Sequence, residues 1–471
     1  MRGGTPALNL GGHKLTKIST NQVSIVGATI ASGGGSVEIG SGIFSIETTS
    51  SFSDSLGSFL VDNGGTLGLR TTTPTFTWPV TLNAGATIRN TGATATNYSP
   101  IVLAGNATLD ANSQITTLNG IVSSPGGPCG LTKIGANTFV LTAVNTYGGN
   151  TLISAGILSL GGSGSIANST NINIGSGAAL DVSSLAAPFT LGSSQTLMAG
   201  GATGTVNGNL NLSAGLLALN YASGTPVLTV TSGIMTLNDN AVTVTVSGSA
   251  LPPGNYKLIS AGTGGAVSGS VSGSVVTING AGATASSRLK IISGELYLVV
   301  DHPPVAQPMT VTRTAGLALK VALSDVATNW SDVDGDTVTW SGINLVTTNG
   351  VSLTINSTWI FYTNNANVAD QISYVISDGQ GGTAAGLINV VMNPFVTGQS
   401  AAVTVGGGAA TINFAGIPGY SYGVLRSTNL TDWVTIVTTN APASGVFNYL
   451  DNFGDLGSVP SAAYYRLQWN P

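Results

Sequence analysis

Residues 126–160 read GGPCGLTKIGANTFVLTAVNTYGGNTLISAGILSL. Short runs in which apolar and polar side chains alternate, such as Leu131-Thr132-Lys133-Ile134 and Ile157-Leu158-Ser159-Leu160, are separated by Gly, Asn and Ser. A period of two between turn-forming residues is the pattern of half-buried β-strands. Working outward, the same idiom runs from residue 8 to about 300 with no helical period, and Leu15-Thr16-Lys17-Ile18 matches Leu131-Thr132-Lys133-Ile134. A second unit, a small turn followed by an alternating strand, recurs as LNAGATI from residue 82, LAGNATL from 103, LISAGILSL from 152 and IGSGAALDV from 174. These starts lie roughly 20 residues apart, the spacing of a solenoid repeat.

A coil of that length supplies about three short strands, and stacking coils pairs each backbone with the next. The expected fold class is all-β: a parallel β-helix (β-solenoid) over residues 1–300, followed by two small β-sandwich (Ig-like) domains. Inward Leu, Ile and Val build the core, Gly and Asn form corners, and Asn stacks are expected there. Composition agrees. The 471 residues include 66 Gly but only 13 Lys and Arg and 18 Asp and Glu, and a like charge repeated at one coil position would repel its copies. Disorder is disfavoured, since mean hydropathy is +0.34 and net charge only −5. A string of β-sandwiches before residue 300 is the rival fold, because turn spacing is irregular around 190–300.

From residue 126 to 160 the text resembles the autotransporter-associated β-strand repeat, on Leu131, Lys133, Gly135, Asn145, Thr146, Tyr147, Gly149, Thr151, Gly156 and Leu160. Phe139-Val140-Leu141 stands where Leu-Thr-Leu is commoner, and residues 8–47 look like a more degenerate copy. The resemblance implies a secreted, passenger-type β-helix at the cell surface or outside the cell. No export signal is visible in the chain, whose first residues, Met1-Arg2-Gly3-Gly4, lack the apolar core of a signal peptide.

Composition shifts at Asp301-His302-Pro303-Pro304, where two prolines favour an extended connector. Residues 301–394, with SDVDGDTVTW and YVISDGQGG, resemble the cadherin-like and immunoglobulin-like modules of bacterial surface proteins. Asn393-Pro394 marks the next boundary, and residues 395–471 read as a C-terminal β-sandwich module.

The chemistry on offer is sparse. His13 and His302 are the only histidines, Cys129 the only cysteine, and Glu38, Glu47 and Glu295 the only glutamates. No nucleophile-base pair or zinc set is legible, and the expected answer is no enzyme. Few basic residues and a pI near 4.8 exclude nucleic acid as partner, and no apolar run is long enough to span a membrane. The enzyme alternative is a β-helix polysaccharide lyase or hydrolase using Arg70, Arg89 and Lys133 with Asp62 and Asp110. A carbohydrate-binding protein would instead need several of Trp78, Trp330, Trp340, Trp359 and Trp433 on one flat face. The metal candidate is Asp332, Asp334 and Asp336, with Asp378 from a neighbouring turn, as a structural calcium set. An Asp/Gly turn capped by its own side chains accounts for the same residues. The functional expectation is a surface structural or adhesive protein that self-associates, as fibres where solenoid ends stay open, or contacts other surface proteins or polysaccharide.

Overall fold

The computed structural model describes residues 7–70, 76–97, 99–201, 203–222, 224–272, 274, 276–280, 287–314, 317–364, 366, 368–392 and 403–470. The chain divides into two compact units, Met1–Val300 and Asp301–Pro471. Among the described residues the only helix is the five-residue segment Leu323–Ala327, so the protein is all-β in substance.

The first unit is a three-sided parallel solenoid of about 11 coils. One face begins with six parallel strands, from Lys14–Lys17 to Val122–Ser123. The second is an unbroken sheet of twelve strands, from Gln22–Val26 to Val276–Gly280. Strands such as Thr29–Ala31 and, in later coils, Ala95–Asn97 and Thr116–Leu118 follow the second-face strand and make the third. The repeats seen in the text are register partners: Leu82 lies beside Leu103, and Ile153 beside Ile174. Inward positions stack into columns such as Leu67, Ile88 and Leu109, all essentially inaccessible. Each such side chain contributes about 1.5–3 kcal/mol of burial.

Corners need backbone that side chains resist. Gly135 and Gly156 sit at corresponding corners with φ of +77° and +65°. A Cβ on Gly156 would lie 2.3 Å from the Gly135 carbonyl oxygen. Asn150 and Asn171 meet amide to amide across adjacent coils, as the expected Asn stacks would, while other corner amides bind backbone. Asn145 accepts from the Val122 N–H and donates to the Ala143 and Ser165 carbonyls, binding backbone across coils. Asn240 likewise donates to the Ser213 and Gly215 carbonyls. A buried amide with fixed partners satisfies backbone groups that the sheet ladders leave over.

The irregular spacing beyond residue 190 comes from coil length, not from separate sandwiches. Arg89 and Asp110, in register on adjacent strands, are 21 residues apart, whereas Thr229 and Ser260 are 31 apart. Loop insertions lengthen the coil while the ladder continues. The solenoid also ends differently from a plain stack. Glu295–Val300 pairs antiparallel with Gly254–Ala261 and with Ser287–Ile292, so a hairpin ends the sheet and Ser287–Ile292 is its last strand.

Within the second unit, Met309–Arg313, Thr383–Met392, Asp370–Ser377 and Thr339–Ile343 form a four-stranded sheet, and Leu319–Ala322, Trp359–Tyr362 and Leu353–Ile355 a three-stranded one. Between them lie Val326, Ile360, Tyr362, Ile372, Tyr374 and Ile388. Val305–Ala306 and Trp330–Ser331 pair as a two-stranded ribbon, and the six strands from Val403 onward make two three-stranded sheets around Ala410, Ile412, Phe414, Val424 and Phe453. The expected boundary at residues 394–395 lies outside the described residues.

Candidate functional site

The acidic loop at the start of the second unit brings Asp334 and Asp336 of the set read in the sequence together with Asp301. Asp332 turns its Oδ1 onto its own loop, accepting from the backbone N–H of Asp334 at 2.8 Å and of Asp336 at 3.3 Å. Asp378, 3% exposed, does the same for its glycine turn, accepting from Gln380 at 2.7 Å and Gly382 at 3.0 Å. Asp334 and Asp336 meet Asp301 instead: one carboxylate oxygen from each lies within 4.8 Å of the others. His302 helps bring them together. Its N–H donates to Asp334 Oδ2 at 2.8 Å, and its Nδ1 stands 3.1 Å from both Asp334 oxygens. Asp301 escaped sequence reading because it stands in the connector, where Pro303 and Pro304 drew attention to chain direction. Three hard oxygen donors this close suit a cation such as calcium, which takes carboxylate and carbonyl oxygens in flexible geometry.

The solenoid's charged residues are committed elsewhere. Glu47 and Arg70 are register partners, with their charged groups 3.5 Å apart, and Gln22 and Ser24 also donate to Glu47. Arg89 is bound to Asp110 at 2.6 Å. Although Arg70 and Arg89 share the second face, Arg89 is aligned with Gly68, so the two arginines occupy different columns. Asp62 accepts from Asn83 at 2.7 Å. Lys14 and Glu38 pair at 2.5 Å, which raises the lysine and lowers the glutamate relative to their ordinary pKa values. No acid-nucleophile pair forms from these residues.

Lys133 points inward, in the column of Leu109 and Ile153, and is 1% exposed. Its ammonium donates to the carbonyls of Ile134, Gly135 and Ala155 at 2.8–2.9 Å, tying its own corner to the next coil. Burial pushes its pKa down to about 8, and nearby Asp110 opposes that shift. Lys17, in the matching Leu-Thr-Lys-Ile text, donates to the carbonyls of Ser19 and Ser41. The two copies therefore share a local device, yet Lys14–Lys17 lies on the first face and Leu131–Ile134 on the second.

Four of the five candidate tryptophans are covered by neighbouring side chains. Trp78 is fully buried beside Phe52 and Phe59, and Trp340 stacks on Tyr374 at 5.0 Å. Lys320 covers Trp359 at 3.6 Å, and Arg466 covers Trp433 at 4.3 Å.

Comparison with known proteins agrees with this architecture. Residues 131–160 match the model of the passenger-associated-transport-repeat, and residues 301–391 match that of a bacterial Ig domain. Over 121 residues the chain is 32% identical to the "Adhesin BmaC autotransporter" of Brucella suis biovar 1 (strain 1330), a stretch covering 26% of this chain and 3% of that adhesin. No solved structure matches. The chain thus carries an autotransporter-passenger-type β-solenoid followed by a bacterial Ig-type module.

Proposed function

We propose that the chain is a non-enzymatic, surface-exposed part of an adhesive protein, with the solenoid as a stiff scaffold and the Ig-type modules as spacers or contact surfaces. The observation that carries this reading is the passenger-type repeat folded as a continuous solenoid whose candidate acid and base residues are paired with one another or with backbone. The adhesin relative and the bacterial Ig match support it. The test uses the whole chain coupled to beads, scored for retention on cell and matrix surfaces under flow. In parallel the chain is incubated with neutral and acidic polysaccharides. Retention without release of reducing ends or unsaturated products is the expected result. Turnover abolished by Arg70→Ala or Arg89→Ala would overturn it.

The same reading takes calcium as a structural ion that fastens the connector to the Asp-rich loop, through Asp301, Asp334 and Asp336. Melting the whole chain in calcium and in chelator should show a rise of several degrees with calcium, absent in Asp336→Asn. Identical melting in all four conditions would leave the loop as a self-capped turn.

A further inference from the structure

The outer side of the second face is not flat between residues 106 and 220. In two successive coils the first face is represented by the single bridge between Val144 and Ser165. A concavity of about 730 Å³ opens where residues 148–150 and Thr170 lead into the second face, and a second of about 310 Å³ continues it across Leu152, Asn173 and Met198, which line both. The floor is one register column, in which Thr132 lies beside Leu152, Leu152 beside Asn173 and Asn173 beside Met198. The trough therefore runs along the solenoid axis with a group every ~4.8 Å.

Its depth has a sequence cause. Ser154, Gly175 and Gly200 follow the floor residues by two positions, so the neighbouring outward column carries almost no side-chain volume until Asn220. Gly149 is confined at the other edge, where a Cβ would lie 2.3 Å from the Cys129 carbonyl carbon. None of the residues lining either concavity is charged. The amides along the rim are held in place: Asn150 Oδ1 accepts from Thr170 Oγ1 and from Asn171 Nδ2, both at 2.9 Å. That arrangement fixes the orientation of both amides and points the remaining donors of Asn150 away from this pair.

We propose that this trough binds an extended neutral oligosaccharide, a ligand class that gives the adhesive reading above its chemistry and rests on it. Three observations select the ligand. An uncharged lining on a chain of net charge −5 offers nothing to a polyanion, whether nucleic acid or acidic polysaccharide. Leu152 and Met198 alternate with the Asn173 amide, matching a polymer that presents apolar ring faces and hydroxyl edges in turn. The strand repeat is close to the advance of one sugar along an extended glycan, so successive coils can meet successive units. A peptide is the poorer occupant. The backbone groups of this sheet are already used by the ladders on both sides, so a peptide cannot add as a strand.

The experiment measures binding of the whole chain to neutral hexasaccharides of β-1,4-linked glucose and mannose, with hexagalacturonate and an unrelated heptapeptide as counter-probes. Binding to a neutral probe is expected to fall more than about tenfold in Asn173→Arg and in Met198→Arg. Thr117→Arg, outward on the third face, should leave it unchanged, and circular dichroism should be the same for all three. The milder Asn171→Ala guards against a folding defect, and should weaken binding without changing the melting temperature. No binding to either neutral probe, equal binding in Asn173→Arg, or preference for the hexagalacturonate or the peptide would each overturn the trough. Bead retention judges the adhesive reading separately. Retention that persists in Asn173→Arg while no hexasaccharide binds keeps adhesion and removes this site.

Discussion

The solenoid and the C-terminal sandwich are both β-structure, but they hold their most buried cations, Lys133 and Arg426, in different ways. In the solenoid each strand meets its copy about one coil away, and buried polar side chains such as Lys133, Asn145 and Asn240 spend their hydrogen bonds on corner carbonyls and N–H groups. The sandwiches pair their strands antiparallel except where Met309–Arg313 joins Thr383–Met392 in parallel, and the C-terminal one buries ionised groups against one another. Arg426, 4% exposed, donates to both oxygens of Asp451 at 2.9 and 3.0 Å, and Tyr465 donates to the same carboxylate at 2.8 Å. Arg313, 1% exposed, is held as Lys133 is, donating to the carbonyls of Leu317, Ala366 and Asn364. Repetition explains the difference. A charge at one coil position would have to be tolerated in every coil that copies the text, whereas a sandwich uses each position once.

This contrast breaks most visibly at Arg426. Arg426→Ala leaves Asp451 buried without its cation, and should cost the C-terminal module about 3–5 kcal/mol. Unfolding followed by tryptophan fluorescence should shift strongly while the solenoid's circular dichroism transition stays put. A loss below about 1 kcal/mol would show that the pair is not what holds that core. Next in size is Leu109→Ala, expected to cost about 2–4 kcal/mol through the cavity it leaves in a close-packed column. Because coils contact mainly their neighbours, hydrogen exchange should speed up around residues 88 and 131 and hardly change near residue 240. Uniform acceleration across the unit would mean the solenoid is a single cooperative block.

A smaller effect belongs to Lys133. Lys133→Met removes three hydrogen bonds to carbonyls and should cost about 1–2 kcal/mol near pH 7. The pH dependence has a definite sign. The folded lysine releases its proton at about 8 and the unfolded one at its ordinary 10.5, so in that window the unfolded chain binds more protons and stability rises with pH. Wild type should therefore gain on the variant between about pH 8 and pH 10, as read from urea melts of both proteins. A constant gap would show that burial does not govern this group. Smallest of all, Arg70→Ala removes a half-exposed partner of Glu47 and should change stability by less than about 1 kcal/mol.

The strand period, the recurrence at roughly 20 residues and the Pro-marked connector were legible because they are local. Leu82 and Leu103 were matched as text before they were matched as neighbours, since a solenoid turns sequence distance into spatial adjacency. Gly135 and Gly156 announced corners because only glycine accepts that backbone there. What stayed hidden depends on which coil lies beside which, and on lengths that vary. The identical Leu-Thr-Lys-Ile texts fall on different faces, since accumulated differences in coil length shift the phase. Lys133, a candidate of the lyase or hydrolase alternative, is a core residue, because three carbonyls wait for it at a corner that sequence does not display. Asp301 joins Asp334 and Asp336 only after the connector folds back onto the Asp-rich loop. Composition settled that this chain must stack uncharged β-strands; the tertiary structure alone decided which side chains face inward and where a trough opens, because those follow from the register between coils.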